Sequence, residues 1–124
     1  MSTHQPVASP APAGPYQHAR VIGNLVATAG QVGVDPATGQ VAGPDIASQT
    51  RQAIANLESA LKSAGADLST LIKVTAILPD PADVKSFNDV YAELIPQPYP
   101  ARTTFYAGLN AGRIVELDAL ATVI

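Results

Sequence analysis

Residues 71–94, LIKVTAILPDPADVKSFNDVYAEL, change their hydrophobic period in mid-stretch. Over 71–78 the side chains alternate, with Ile72, Val74, Ala76 and Leu78 on one face and Leu71, Lys73, Thr75 and Ile77 on the other, as in a half-buried strand. Asp80 and Pro81 then offer an N-cap and a first helical residue, and Val84, Phe87, Tyr91 and Leu94 recur at helical spacing until Pro96 ends the run. A strand leading directly into an amphipathic helix makes this a layered domain of helices on a sheet.

The flanking segments follow the same logic. Ile46, Thr50, Ala53, Leu57, Leu61 and Ala64 mark an earlier helix, with Pro44 at its first position, Asp45 at the positive end of its dipole and Gly65 as its stop. Before it, β-prone residues 20–22 and 25–29 flank Gly23-Asn24, a type II′ hairpin turn, and residues 31–43 form a turn-rich excursion around Asp35-Pro36-Ala37-Thr38-Gly39. After the proline-stiffened connector 96–100, residues 101–109 and 114–124 flank Asn110-Ala111-Gly112 and read as an antiparallel hairpin. In that register Thr104 lies opposite Asp118, with Arg102 diagonal to it. The order β-β-α-β-α-β-β is α+β, with both helices on one face of the sheet. The other face, with Leu25, Leu71, Ile77, Leu120, Arg102, Tyr106 and Asp118, is too apolar for water and too polar for a closed core, which fits a subunit interface with an embedded site.

Composition narrows the possible functions. The 124 residues suffice for one core, expected over 16–124, preceded by a flexible Pro/Ala-rich arm at 1–15 that holds four prolines. Charged residues make up only 14 % of the chain, which favours self-association. A net charge of −3 with seven scattered basic residues gives no stripe for nucleic acid. With no cysteine there is no disulfide, thiolate nucleophile or Cys-based zinc site, and His4 and His18 lack metal-binding spacing, so no metal is expected. No apolar run approaches the roughly 20 residues of a membrane span, which leaves a cytoplasmic protein with no membrane partner as the expectation.

Gly14-Pro15-Tyr16, Ala29-Gly30-Gln31-Val32, Asp35-Pro36-Ala37-Thr38-Gly39, Phe87-Asn88-Asp89-Val90-Tyr91, Pro100-Ala101-Arg102 and Val115-Glu116-Leu117-Asp118-Ala119 together resemble the RidA/YjgF family in order and spacing, over about 14–121. The resemblance implies a chorismate-mutase-like α+β fold, a homotrimer with clefts between subunits, and cofactor-free hydrolysis of 2-imino or enamine acids to 2-keto acids and ammonia. Carried over residue by residue, it gives Arg102 as the grip on the substrate carboxylate, a task suited to its planar donor fork. Tyr16, Gly30, Asn88 and Thr104 line the pocket in the same reading. Asp118 takes the place of a glutamate as the proton-exchanging group, while Ala29 and Thr104 stand where the family typically has serine and cysteine. Glu116 is read as structural. The same anchor fits two other readings: a pathway-specific enzyme acting on another carboxylate-bearing intermediate, and a non-catalytic trimer that binds small carboxylates.

Overall fold

The computed structural model describes residues 12–124, so most of the arm expected at 1–15 lies outside the described residues. Strands β1 (Ala19–Ile22) and β2 (Leu25–Thr28) form the expected hairpin: Ile22 pairs with Leu25, and Gly23 takes φ +61°. The excursion expected over 31–43 begins instead with a short strand, β3 (Gln31–Val32), which pairs with the last strand, and is closed by a bridge between Val34 and Val41. Helix α1 (Ile46–Ser63) starts two residues later than Pro44, because Asp45 is itself the N-cap and accepts from the Ser48 amide at 2.9 Å. Strand β4 (Leu71–Leu78) is followed by a 3-10 turn (Pro81–Asp83), capped by Asp80 and continuous with helix α2 (Val84–Leu94). Strands β5 (Ala101–Tyr106) and β6 (Glu116–Thr122) complete the chain.

The sheet is mixed, in the order β1-β2-β6-β4-β5, with β3 also on β6. This corrects the expected β5–β6 hairpin. Strand β5 runs parallel to β4, Thr75 meeting Thr103, while β6 lies antiparallel on the other side of β4, Thr75 meeting Asp118. Helix α2 is the crossover a parallel pair requires, and β6 is inserted centrally, with partners on both sides. Arg102 and Thr104 therefore do not face Asp118. Arg102 sits in the row of Val74 and Ala119, and Thr104 in that of Ala76 and Leu117, on the helix-covered face; Asp118 stands on the open one. Tyr106, level with buried Leu78, shares the alternation of Arg102 and likewise leaves the open face.

A second correction concerns β4. Its register on β6 slips between Leu71 and Lys73, an irregularity that turns Leu71 toward the core and leaves Ile72 43 % exposed. Both helices pack on the face formed by Val26, Val74, Ala76, Leu78, Leu117, Ala119 and Ala121, where Leu57, Leu61 and Phe87 are fully buried. Leu57→Ala removes buried methyl groups from this layer and is expected to lower the unfolding free energy by about 2–5 kcal/mol, measured by urea denaturation.

Candidate functional site: a cleft beside β3 and a separate arginine

Strands β2 and β3 both pair with β6, but not as one regular strand. From Ala27 to Gln31 the chain advances four residues, whereas their partners, Leu120 and Leu117, are three apart. The extra residue makes a bulge at 28–30, and the Thr28 hydroxyl accepts from the Ala119 amide at 3.0 Å. Gly30 lies in the bulge. A Cβ there would come within 2.5 Å of Glu116 Oε2, so only glycine leaves this carboxylate its present position.

Glu116 opens β6 and lines a cleft of about 610 Å³ together with Tyr16, His18, Gly30, Asn56 and Arg113. Helix α1 pins two walls. Asn56 donates to the carbonyls of Val32 and Val34 at 2.9 and 2.8 Å. Gln49, 1 % exposed, donates to Gly43 O and Gly112 O and accepts from the Ile114 amide, at 2.8, 2.9 and 3.0 Å. Tyr16 is about half exposed at the rim, its hydroxyl accepting from the Ala13 amide at 3.3 Å. Burial pushes the Glu116 carboxyl above its ordinary range, and the charge of Asp118, two residues along the same face, pushes it further. Asp118 itself is not among the residues lining the cleft.

The other expected site residues form a second group. Arg102 donates to Asn88 Oδ1 at 2.7 Å, and its guanidinium carbon lies 4.7 Å from the Tyr91 ring centre and 5.2 Å from that of Phe87. Among the described residues no carboxylate pairs with it, which leaves its charge available to an anion. Thr104, one strand position beyond it on the same face, has a buried hydroxyl with no hydrogen-bond partner among the described residues. One chain thus joins Tyr16 and Gly30 with Glu116, and Arg102 with Asn88, but does not unite the two groups. Sequence reasoning passed over Glu116. It shares the alternation of Asp118, and only the β3–β6 register, Val32 meeting Glu116, identifies which of the two borders the cleft.

The fold and cleft define a small α+β protein whose carboxylate-bearing pocket lies where a strand is broken beside a central neighbour. The chain belongs to the Endoribonuclease L-PSP (RidA/YjgF) family, whose model matches residues 7–123. It is 39 % identical over 116 residues to Reactive Intermediate Deaminase A, chloroplastic, of Arabidopsis thaliana, covering 93 % of this chain and 62 % of that protein. It is 37 % identical over 114 residues to the 2-iminobutanoate/2-iminopropanoate deaminase of Bos taurus, covering 91 % of this chain and 83 % of that protein. The crystal structure of RidA from the Antarctic bacterium Psychrobacter sp. PAMC 21119 matches with a TM-score of 0.91 at 30 % identity, covering 99 % of this chain and all of that one. Among the described residues no helix is long and apolar enough to cross a membrane.

Two outcomes test the construction of the cleft. Gln49→Leu leaves the two carbonyls and the amide it serves without their partner and is expected to destabilise the fold by about 2–4 kcal/mol in urea denaturation. The raised Glu116 carboxyl means that the folded chain keeps this proton to a higher pH than the unfolded chain. Stability therefore falls as pH rises from the ordinary carboxylate range through the raised value. Glu116→Gln removes that loss, so its melting temperature is expected to exceed that of the unsubstituted protein at pH 8 by more than at pH 4.

Proposed function

We propose that the protein hydrolyses 2-imino acids and their enamine tautomers to 2-keto acids and ammonia without a cofactor, in clefts assembled between the subunits of a cytoplasmic homotrimer. The observation that carries this reading is the half-buried Glu116, its carboxyl raised above the ordinary range, in a cleft bordered by Gly30 and Tyr16. The names of the Arabidopsis and bovine relatives support the same chemistry.

The open sheet face supports assembly. Leu25 and Phe105 remain 47 % and 43 % exposed there, a burial opportunity for further copies of the chain. In this reading Arg102 of one subunit, held by Asn88 and the two rings, grips the C1 carboxylate of a substrate lodged against Glu116 of the next. Water adds to C2 while Glu116 accepts its proton and passes one to the imine nitrogen. Glu116 then takes the carbinolamine hydroxyl proton and delivers it to the amino nitrogen as the C–N bond breaks, so ammonia leaves and C2 becomes a ketone. A carboxyl held above its usual range serves both directions of this proton exchange better than an ordinary one. Glu116 thus takes the role first given to Asp118, and Asp118 tunes it through charge.

In an assay that generates 2-iminobutanoate with an amino-acid oxidase and traps it with semicarbazide, Arg102→Ala is expected to lower kcat/KM by about 10²–10³-fold, the effect of removing one member of a desolvated charge pair. Light scattering is expected to give the mass of three chains for both proteins. Undiminished turnover by the variant would remove Arg102 from the site. Burial of Glu116 persists in Asp118→Asn, but the charge that adds to it is gone, so the acid limb of the kcat/KM profile is expected to move to lower pH.

A further inference from the structure

Arg113 has no part in the hydrolysis described above, yet it lines the same cleft. Its backbone is fixed on both sides: Gln49 binds the carbonyl of Gly112 before it and the amide of Ile114 after it, and its own amide donates to Asn110 O at 3.0 Å. Gly112 makes the turn with φ +83°. A buried glutamine, a left-handed glycine and a closed turn thus hold one long cationic side chain at the cleft wall. It is partly buried, and among the described residues neither a carboxylate nor a hydrogen-bond acceptor engages its guanidinium. Among the described residues Glu116 is the single acidic group of the lining, and no ion pair joins it to Arg113.

A cleft of about 610 Å³ falls in the range that accommodates drug-sized ligands, more than a four-carbon imino acid occupies. An unpaired guanidinium set in such a wall is a bidentate receptor for a carboxylate. With the C1 carboxylate assigned to Arg102, the anion left for Arg113 is a second one, carried on the substrate's side chain. We propose that Arg113 makes this cleft selective for 2-imino acids with an acidic side chain, the imines of dicarboxylic amino acids. The inference rests on the imine-hydrolase reading for its substrate class. The dicarboxylate preference itself is a binding property, readable without turnover.

The test is calorimetric titration of the full-length protein with two keto acids that differ in the side-chain carboxylate, 2-oxoglutarate and 2-oxobutanoate, followed by kcat/KM for the corresponding imines. The expected result is about tenfold tighter binding of 2-oxoglutarate, the size of one well-formed charge-assisted contact. Arg113→Gln should bring that ratio to about one, and Arg113→Lys should retain part of it. Equal affinity for the two acids in the unsubstituted protein, or an unchanged ratio in Arg113→Gln, overturns the proposal. So does a loss of trimer mass in Arg113→Gln, which would assign the side chain to subunit pairing. A tenfold binding preference without hydrolysis of either imine would leave the dicarboxylate site standing and reject the hydrolase reading. Hydrolysis of both imines with equal kcat/KM would do the reverse.

Discussion

Strand β6 has neighbours on both sides, and its alternation is the constraint on which the rest of the molecule depends. Leu117, Ala119 and Ala121 point into the layer beneath the helices and are almost wholly withdrawn from water, which fixes the strand's register to within one residue. The same alternation obliges Glu116 and Asp118 to stand on the opposite face. Burial penalises the charged form of Glu116, and repulsion from Asp118, two residues away, adds to that penalty. The core thus supplies the energy that holds a poorly solvated carboxyl in place.

Helix α1 serves the cleft as directly as it serves the core. Its apolar side fills the layer through Ala53, Leu57, Ala60 and Leu61, while Gln49 and Asn56 reach past the sheet edge to bind loop backbone. Loop carbonyls that would otherwise turn to water are thereby tied to a rigid element. Gly33 is part of the same arrangement, since a Cβ there would lie 2.5 Å from the Gln49 carbonyl oxygen.

Local signals in the sequence were sufficient for the longer elements, missed the two-residue β3, and were insufficient for the pairing. Period-two and helical spacing located β4, α1 and α2, and Gly23-Asn24 specified its turn, because each depends on neighbours in the chain. The parallel β4–β5 pair and the insertion of β6 depend on contacts distant in sequence, and a glycine-containing loop between two β-prone runs resembles a hairpin whether or not the runs pair. The irregularity at Ile72 was invisible for the same reason. At the site, the family-like motifs pointed to Arg102, Tyr16, Gly30 and Asn88, of which the chain brings Tyr16 and Gly30 to the cleft and pairs Arg102 with Asn88 elsewhere. The motifs favoured Asp118 over Glu116, which alternation puts on the same face; the short β3 and Gly30 instead place Glu116 at the cleft.

The bulge at 28–30 has a consequence for how this chain can vary. A strand one residue shorter there would match β6 step for step, return the Ala119 amide to a regular ladder and free Thr28 from substituting for it. It would also close the gap in which Gly30 makes room for the Glu116 carboxylate. The most regular version of this sheet therefore lacks the room beside residue 30 that the Glu116 carboxylate occupies. Insertions and deletions near Ala29 thus reshape the cleft wall as well as the sheet ladder.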